Sequence, residues 1–202
     1  VDSEPGSYLY CGLSRDASKE EILERINNNT ITDILNKIEV KAGDVVMVKA
    51  GTIHAIGAGV FICEIQQNSN CTYRMYDYDR RDKFGNPREL HVKKALDVVD
   101  NHKYIKDNKT EVVIARNEHF TEERLVQCKY FEVYKYDVND EAKITVDEAS
   151  FVSVLFINGS GTIETDDYEK TMEFKAGDSF FVSAGLRSII IKGQATMVVT
   201  RV

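Results

Sequence analysis

His54, Glu64 and Arg74 are the residues of this 202-residue chain whose types and settings best suit chemistry. His54 follows Ala50-Gly-Thr-Ile53 and sits between two apolar runs. Its imidazole can ligate a metal or carry a proton near neutral pH. It can equally be a hydrogen-bonded residue at the rim of a core. One histidine cannot hold a metal, because a catalytic zinc site needs about three protein ligands and an open position, and no His-x-His or His-x-Glu pair lies close by. Glu64 stands in the otherwise apolar run Val60-Phe-Ile-Cys-Glu-Ile65. An ionised carboxylate in a strand of that kind either meets substrate or a metal ligand in a wet cavity, or points outward into solvent. Arg74 is delivered by the polar loop Gln66–Asn70 into the aromatic run Tyr73-Arg-Met-Tyr-Asp-Tyr78. Its planar, permanently charged fork suits oxyanions. Enclosed, it would stabilise a phosphate or a negative charge developing on oxygen; at the surface it would pair with Asp77 or Asp79. Arg80 and Arg81 read as solvated loop charges that can lean towards a phosphate. His91, His102 and His119 lie in polar contexts without ligand spacing and read as surface residues.

The elements that must position these groups announce themselves through a repeat. Lys41-Ala-Gly-Asp-Val-Val-Met-Val-Lys-Ala-Gly-Thr-Ile-His-Ala-Ile56 recurs without a gap as Lys175-Ala-Gly-Asp-Ser-Phe-Phe-Val-Ser-Ala-Gly-Leu-Arg-Ser-Ile-Ile190. Each copy reads as a Gly-Asp turn, a short apolar strand, an Ala-Gly turn and a second strand, so the repeat implies two related β units. His54 of the first copy faces Ser188 of the second, and only the first can carry chemistry at that position. Before the first copy, Ser18-Lys-Glu-Glu21 is a capping-box pattern leading into Ile22, Leu23 and Ile26. Thr30, with Ile31, Ile34, Leu35 and Ile38, predicts a second helix, making a helical hairpin insertion over 17–38. Strands are expected at 45–48, 60–65 and 72–76, a charged loop at 77–88, a short helix at 90–99 and a polar linker at 101–117. Beyond it, Phe131–Tyr136 alternates as a half-buried strand, Phe151–Ile157 is a core strand ended by the turn signal Asn158-Gly-Ser-Gly161, and 179–182 and 196–202 complete the set. Many short strands between turn signals indicate a mainly β sandwich or jelly-roll barrel. The domains expected are 1–100, the back half of one β unit with its helical insertion, and 101–202, a second unit without the histidine. A strand at Ser7–Gly12, so close to a first residue that is Val, leads us to expect a fragment with half a unit missing before it.

Composition sets the outer bounds. The hydrophobic share of 43% and charged share of 29% describe an ordinary globular protein. The net charge of −7 argues against nonspecific nucleic-acid binding, which needs a basic face, but leaves room for a local basic pocket. No apolar run approaches a membrane span and no signal-peptide pattern opens the chain. Cys11, Cys63, Cys71 and Cys128 lack zinc-finger spacing. Reduced thiols in a cytoplasmic protein are the simplest reading, with Cys63 packing as a small hydrophobe, although an even count leaves a disulfide open.

Gly51-Thr-Ile-His-Ala55, Glu64-Ile-Gln-Gln-Asn-Ser69, Thr72-Tyr-Arg-Met-Tyr-Asp-Tyr-Asp-Arg80 and Arg88-Glu-Leu-His91, with the opening Glu4-Pro-Gly-Ser-Tyr-Leu-Tyr-Cys-Gly12, together resemble the short bacterial type I mannose-6-phosphate isomerases of the cupin superfamily. The resemblance runs along the whole chain. It implies a two-cupin jelly-roll architecture, here with the first cupin incomplete, and one zinc per full-length protein. The reaction it implies interconverts mannose 6-phosphate and fructose 6-phosphate through an enediol. By motif, His54 would be a zinc ligand, Arg74 the catalytic arginine that stabilises charge as the proton leaves, and Glu64 and Arg80 substrate-binding residues. The family's Gln-x-His-Pro motif, which carries other zinc ligands, does not occur here. The resemblance therefore implies an incomplete zinc site and a chain inactive alone, with a sugar phosphate as partner, no nucleic acid, no membrane, and self-association through the uncovered face. The competing expectation is a non-catalytic cupin that binds a sugar or a protein partner.

Overall fold

The computed structural model describes residues 1–69, 71–106, 112–165 and 168–202. Asn70 of the expected polar loop and residues 107–111 of the expected linker lie outside the described residues. The chain forms two compact units, Val1–Lys106 and Asp107–Val202.

In the first unit, β1 (Asp2–Ser3) and β2 (Tyr8–Leu13) lead into helix α1 (Lys19–Asn27). The N-cap half of the capping box forms: the Ser18 side chain accepts from the Glu21 backbone N–H at 3.1 Å. Glu21 is in turn gripped by Arg15 and by Arg25 one turn on. Ile22 and Ile26 are buried on one face, where each contributes about 1.5–3 kcal/mol. Asn29, at φ 57°, ends the helix. The second helix of the expected hairpin is corrected by the structure. Only a 3-10 turn, Ile31–Ile34, forms, and Leu35–Glu39 is strand β3. The spacing of Ile31, Ile34, Leu35 and Ile38 fits a helical stripe, yet the last two lie in a strand ladder, Leu35 opposite Leu13 and Ile38 opposite Leu9 on β2. Ile31 and Ile34 enter the core with Leu13, Ile22, Ile26 and Val99.

β4 (His54–Ile56) lies on the other side of β2, giving the sheet order β3-β2-β4. β5 (Val60–Phe61) pairs with β1, and helix α2 (Val92–Val98) closes the unit. The strands expected at 45–48 and 72–76 are not formed, and that at 60–65 shrinks to two residues. Their apolar patterns are those of strands, but a ladder also needs a neighbour, and none flanks them among the described residues. The unit boundary also falls a few residues later than expected, after Lys106.

The second unit is almost wholly β: β6 (Val112–Arg116), β7 (Phe120–Gln127), β8 (Glu132–Val138), β9 (Glu141–Val146), β10 (Val152–Thr165), β11 (Tyr168–Lys175), β12 (Ser179–Val182) and β13 (Arg187–Arg201). Part of the expected polar linker is thus strand β6. The sheet runs β11-β10-β13-β8-β7-β6, with β12 also on β10 and β9 also on β13. The two long strands pair with each other, and along its other edge each serves two further strands in succession, β12 then β11 on β10 and β9 then β8 on β13, as strands do when they pass from one sheet of a sandwich to the other. The corner lies at Asn158-Gly159-Ser160-Gly161. This segment does not end a strand as expected; β10 continues through it with a register shift after Phe156. Gly159 is at φ +87°, and a Cβ there would collide with the Gln194 carbonyl of β13. The interior is filled by side chains: Phe156 stacks on Phe174 at 3.7 Å and meets Phe180 edge-on at 5.9 Å, with Ile144, Ile189, Ile191 and Met197 around them.

The repeat survives as geometry. In both copies the Lys N–H donates to the Asp carboxylate at 2.9 Å and the Asp N–H returns to the Lys carbonyl at 3.1 Å. The glycine between them sits at φ +92° in one copy and +90° in the other.

Candidate active site

All four candidate site residues belong to the first unit. His54 opens β4 opposite Cys11 of β2, after a turn in which the Thr52 N–H donates to the Lys49 carbonyl at 3.1 Å. Its Nδ1 is 3.0 Å from the Thr52 carbonyl oxygen. A carbonyl only accepts, so Nδ1 carries the proton and Nε2 keeps its lone pair. This is the arrangement that orients a metal-binding or proton-accepting imidazole. The ring is exposed. Glu64 is exposed too and lies beyond β5, not within a strand.

Arg74 is half-buried and held by its backbone. Its N–H donates to Nδ1 of His91 at 3.3 Å, and the His91 N–H returns to the Arg74 carbonyl at 2.6 Å. His91 therefore is no free surface residue: it is partly buried, neutral at Nδ1, and stands at the N-terminus of α2. The Arg74 guanidinium donates through Nη1 to the Glu89 carbonyl at 3.2 Å. It pairs with neither Asp77 nor Asp79, because both are taken. Arg81 meets Asp79 at 3.4 Å, and Asp77 is the centre of a separate assembly.

Asp77 is buried, with a side chain 7% exposed. Arg88 grips its carboxylate with both arms of its fork, Nε to Oδ2 at 2.7 Å and Nη2 to Oδ1. Nη2 of Arg80 donates to the same Oδ1 at 2.8 Å. The Arg88 guanidinium, seconded by Arg80, holds the Asp77 carboxyl down to about 2. Asp77 thus carries two cations inside a chain of net charge −7. A cleft of about 100 Å³ opens beside Tyr76, Asp77, Asp79, Arg80, Arg88 and Leu90, room for about three waters; Asp79 brings a second anion to it, paired with Arg81. Tyr78 lies over the Arg80 guanidinium at 5.6 Å, and burial raises its phenol above the ordinary value. In the sequence Arg88 stands only as part of a motif; the one signal for its role is an aspartate, Asp77, flanked by tyrosines and in need of a cation. No hydrogen bond or ion pair joins His54, Glu64 and Arg74 to one another among the described residues. Nor do three His, Cys, Asp or Glu side chains gather there as a metal-binding group.

Comparison with known proteins places this geometry. The mannose-6-phosphate isomerase cupin domain matches residues 121–202, inside the second unit. The Bacillus subtilis protein YvyI, which carries a mannose-6-phosphate isomerase name, is 41% identical over 190 residues, spanning 92% of this chain and 57% of YvyI. Mannose-6-phosphate isomerase ManA of the same organism is 33% identical over 193 residues, spanning 91% and 56%. The crystal structure of the mannose 6-phosphate isomerase from Bacillus subtilis superposes on all of this chain with a TM-score of 0.89 and 35% identity. Along nearly all of its length the chain is similar to mannose-6-phosphate isomerases. The isomerase likeness covers both units, including every candidate residue from His54 to Arg88, although the matched cupin domain covers only the unit that lacks the histidine. The two-cupin jelly-roll architecture is that of these isomerases. The chain spans little more than half the length of the two curated relatives, 57% and 56%. Among the described residues no helix is long and apolar enough to cross a membrane, and all four cysteines are free.

Proposed function

We propose that this chain supplies the substrate-facing side of a mannose-6-phosphate isomerase, with Arg74 as the catalytic arginine and Arg80 and Glu64 as contacts to the sugar phosphate. Arg74 carries the reading. It is half-buried, anchored by its backbone to His91, and among the described residues its guanidinium meets only a backbone carbonyl, while Asp77 and Asp79 are paired with other arginines. An arginine kept clear of carboxylates retains its fork for a ligand anion.

The isomerisation removes a proton from C2 of the aldose, passes through an enediolate and returns a proton at C1. The negative charge that develops on the oxygens is what Arg74 would stabilise, most in the transition state. Glu64, exposed and without a partner, would accept hydrogen bonds from sugar hydroxyls. Zinc is the metal proposed for the family reaction, with Nε2 of His54 as one ligand. The described residues hold no complete donor set, so they do not fit a zinc by themselves, and the other donors would come from outside them. The chain alone is therefore proposed to be inactive and to bind zinc poorly, whereas the full-length protein is proposed to act in the cytoplasm on a sugar phosphate.

The test compares this chain with the complete gene product. Each is assayed for conversion of mannose 6-phosphate to fructose 6-phosphate with added zinc, and each is analysed for bound metal. Turnover and stoichiometric zinc in the gene product, with neither in this chain, is the expected result. Turnover or tight zinc in this chain would refute its inactivity. A gene product without isomerase activity would leave the non-catalytic, sugar-binding cupin as the better reading.

A further inference from the structure

We infer that Asp77 and Arg88 form a positioning pair that aims Arg80 at the substrate's phosphate; this rests on the reading of Arg80 as a substrate contact. Three observations carry it. First, the carboxylate of Asp77 is buried and already accepts three bonds, two from Arg88 and one from Arg80, while its backbone carbonyl accepts from the Arg80 N–H at 3.0 Å and from Arg80 Nε at 3.3 Å. A buried anion held between two guanidinium groups acts on an anionic ligand through those arginines. Second, the backbone is bent to make this contact. Tyr78 and Asp79 stand at φ +56° and +52°, two consecutive non-glycine residues in the left-handed region, where each is disfavoured. The bend folds Arg80 back over Asp77. Third, the far end of Arg80 is open. Its side chain is 62% exposed, Nη1 has no partner among the described residues, and the cleft of about 100 Å³ lies beside it.

Such an arrangement fixes a guanidinium that would otherwise sample many rotamers, and a fork already aimed loses less entropy when it binds an anion. The ligand it suits is a phosphoryl group on a flexible tether, which meets the open Nη1 of Arg80; the second carboxylate at the cleft, Asp79, is paired with Arg81. Arg88 supplies the second positive charge that keeps Asp77 from cancelling the first.

The experiment uses Asp77→Asn and Arg88→Lys in two settings. In this chain, the Nη–H resonances of labelled arginine report whether Arg80 is held by the carboxylate, since Nη2 is the atom that donates to it; melting curves report whether the variants fold. In the complete gene product, steady-state kinetics with mannose 6-phosphate separate KM from kcat. The expected result is a resolved, slowly exchanging Arg80 Nη2–H in the wild type that is lost in Asp77→Asn. A KM about tenfold higher, as for one misdirected charge-assisted bond, should accompany it at nearly unchanged kcat. Arg88→Lys, which keeps the charge but not the fork, should raise KM in the same direction. An Arg80 Nη2–H that persists in Asp77→Asn, or an unchanged KM in both variants, would overturn the positioning role. A fall in kcat that follows the melting temperature, without a KM effect, would reduce the pair to a purely structural one and overturn it as well. A gene product with no isomerase activity would instead sink the reading of Arg80 as a substrate contact, while the Arg80 signal still decides whether Asp77 holds it.

Discussion

Replacing Arg74 with alanine should cost turnover far more than stability, and the structure allows both sides to be sized. The side chain makes one polar contact, Nη1 to the Glu89 carbonyl at 3.2 Å, in an exposed setting. Its loss is worth about 1 kcal/mol. The two bonds that tie this segment to His91 use the backbone N–H and carbonyl of Arg74, so they survive the substitution. One kcal/mol in a unit of this size corresponds to a melting shift of about 4–8 °C at most. Losing a preorganised donor to a developing oxyanion typically costs on the order of a hundredfold in kcat, which is about 2.7 kcal/mol of barrier. The catalytic loss should thus exceed the stability loss more than twofold in free energy. Arg74→Lys should not restore turnover, because an ammonium presents a compact charge where a planar fork is needed. The assay is steady-state isomerisation of mannose 6-phosphate by the complete gene product, beside thermal melts of the same variants. Near-normal kcat in Arg74→Ala, or full rescue by lysine, would remove Arg74 from the catalytic assignment.

Acid should loosen the arginine loop only at very low pH. The folded-state carboxyl of Asp77 is depressed from 3.8 to about 2, so its contribution is fully present above about 4 and is lost as pH falls through about 2; Asp77→Asn should flatten the melting temperature over that window. Glu21, depressed from 4.5 to about 2 by Arg15 first and Arg25 second, should give Glu21→Gln the same signature in the first unit. Gly159→Ala should destabilise the second unit by more than about 1 kcal/mol, since φ is +87° and β13 leaves no room for a Cβ; an unchanged denaturation midpoint would contradict the corner geometry. Phe61 is 66% exposed near exposed Ile56 and Ile62, so this chain should self-associate through its first unit, and light scattering should show less association in Phe61→Ser. A concentration-independent monomer in the parent chain would refute that.

What could be recognised from sequence was local chemistry. The two Lys-Ala-Gly-Asp turns close on themselves, with an aspartate reaching back three residues and a glycine at positive φ, so identical residues produced identical geometry. The Ser18 cap and the α1 face behaved likewise. The failures share a cause: partners distant in sequence decided them. Ile31 to Ile38 carry a helical spacing, but Leu9 on β2 offers a strand partner and wins. Asn158-Gly-Ser-Gly161 has the residues of a turn, and β13, running alongside, turns it into a corner of a continuous strand. Arg74 was singled out as an oxyanion candidate by its type alone; its ties to Glu89 and His91 span 15 and 17 residues and left no periodic trace. Arg88 reaches Asp77 across 11 residues of loop, and nothing in the charge pattern chose Arg88 over Arg81.

The two copies of the repeat show what separates a site from a scaffold when the backbone is shared. At position 54 the imidazole stands exposed, one nitrogen fixed by the Thr52 carbonyl and the other open. At position 188 the serine is 2% exposed, on a strand whose neighbours Ile189 and Ile191 pack into an interior already filled by Phe156 and Phe174. Polar chemistry needs a polar, reachable volume, because an ionisable group enclosed among apolar side chains is driven to its neutral form. The aromatic filling therefore does more than stabilise the second unit: it takes the space a ligand would need. The first unit keeps its chemistry-bearing residues on segments such as 60–76 that have few ladder bonds and much exposed surface, while the second spends nearly all its residues on ladders and core. On this view the lost histidine and the filled interior are one change, and the stability of the second unit is the counterpart of the openness of the first.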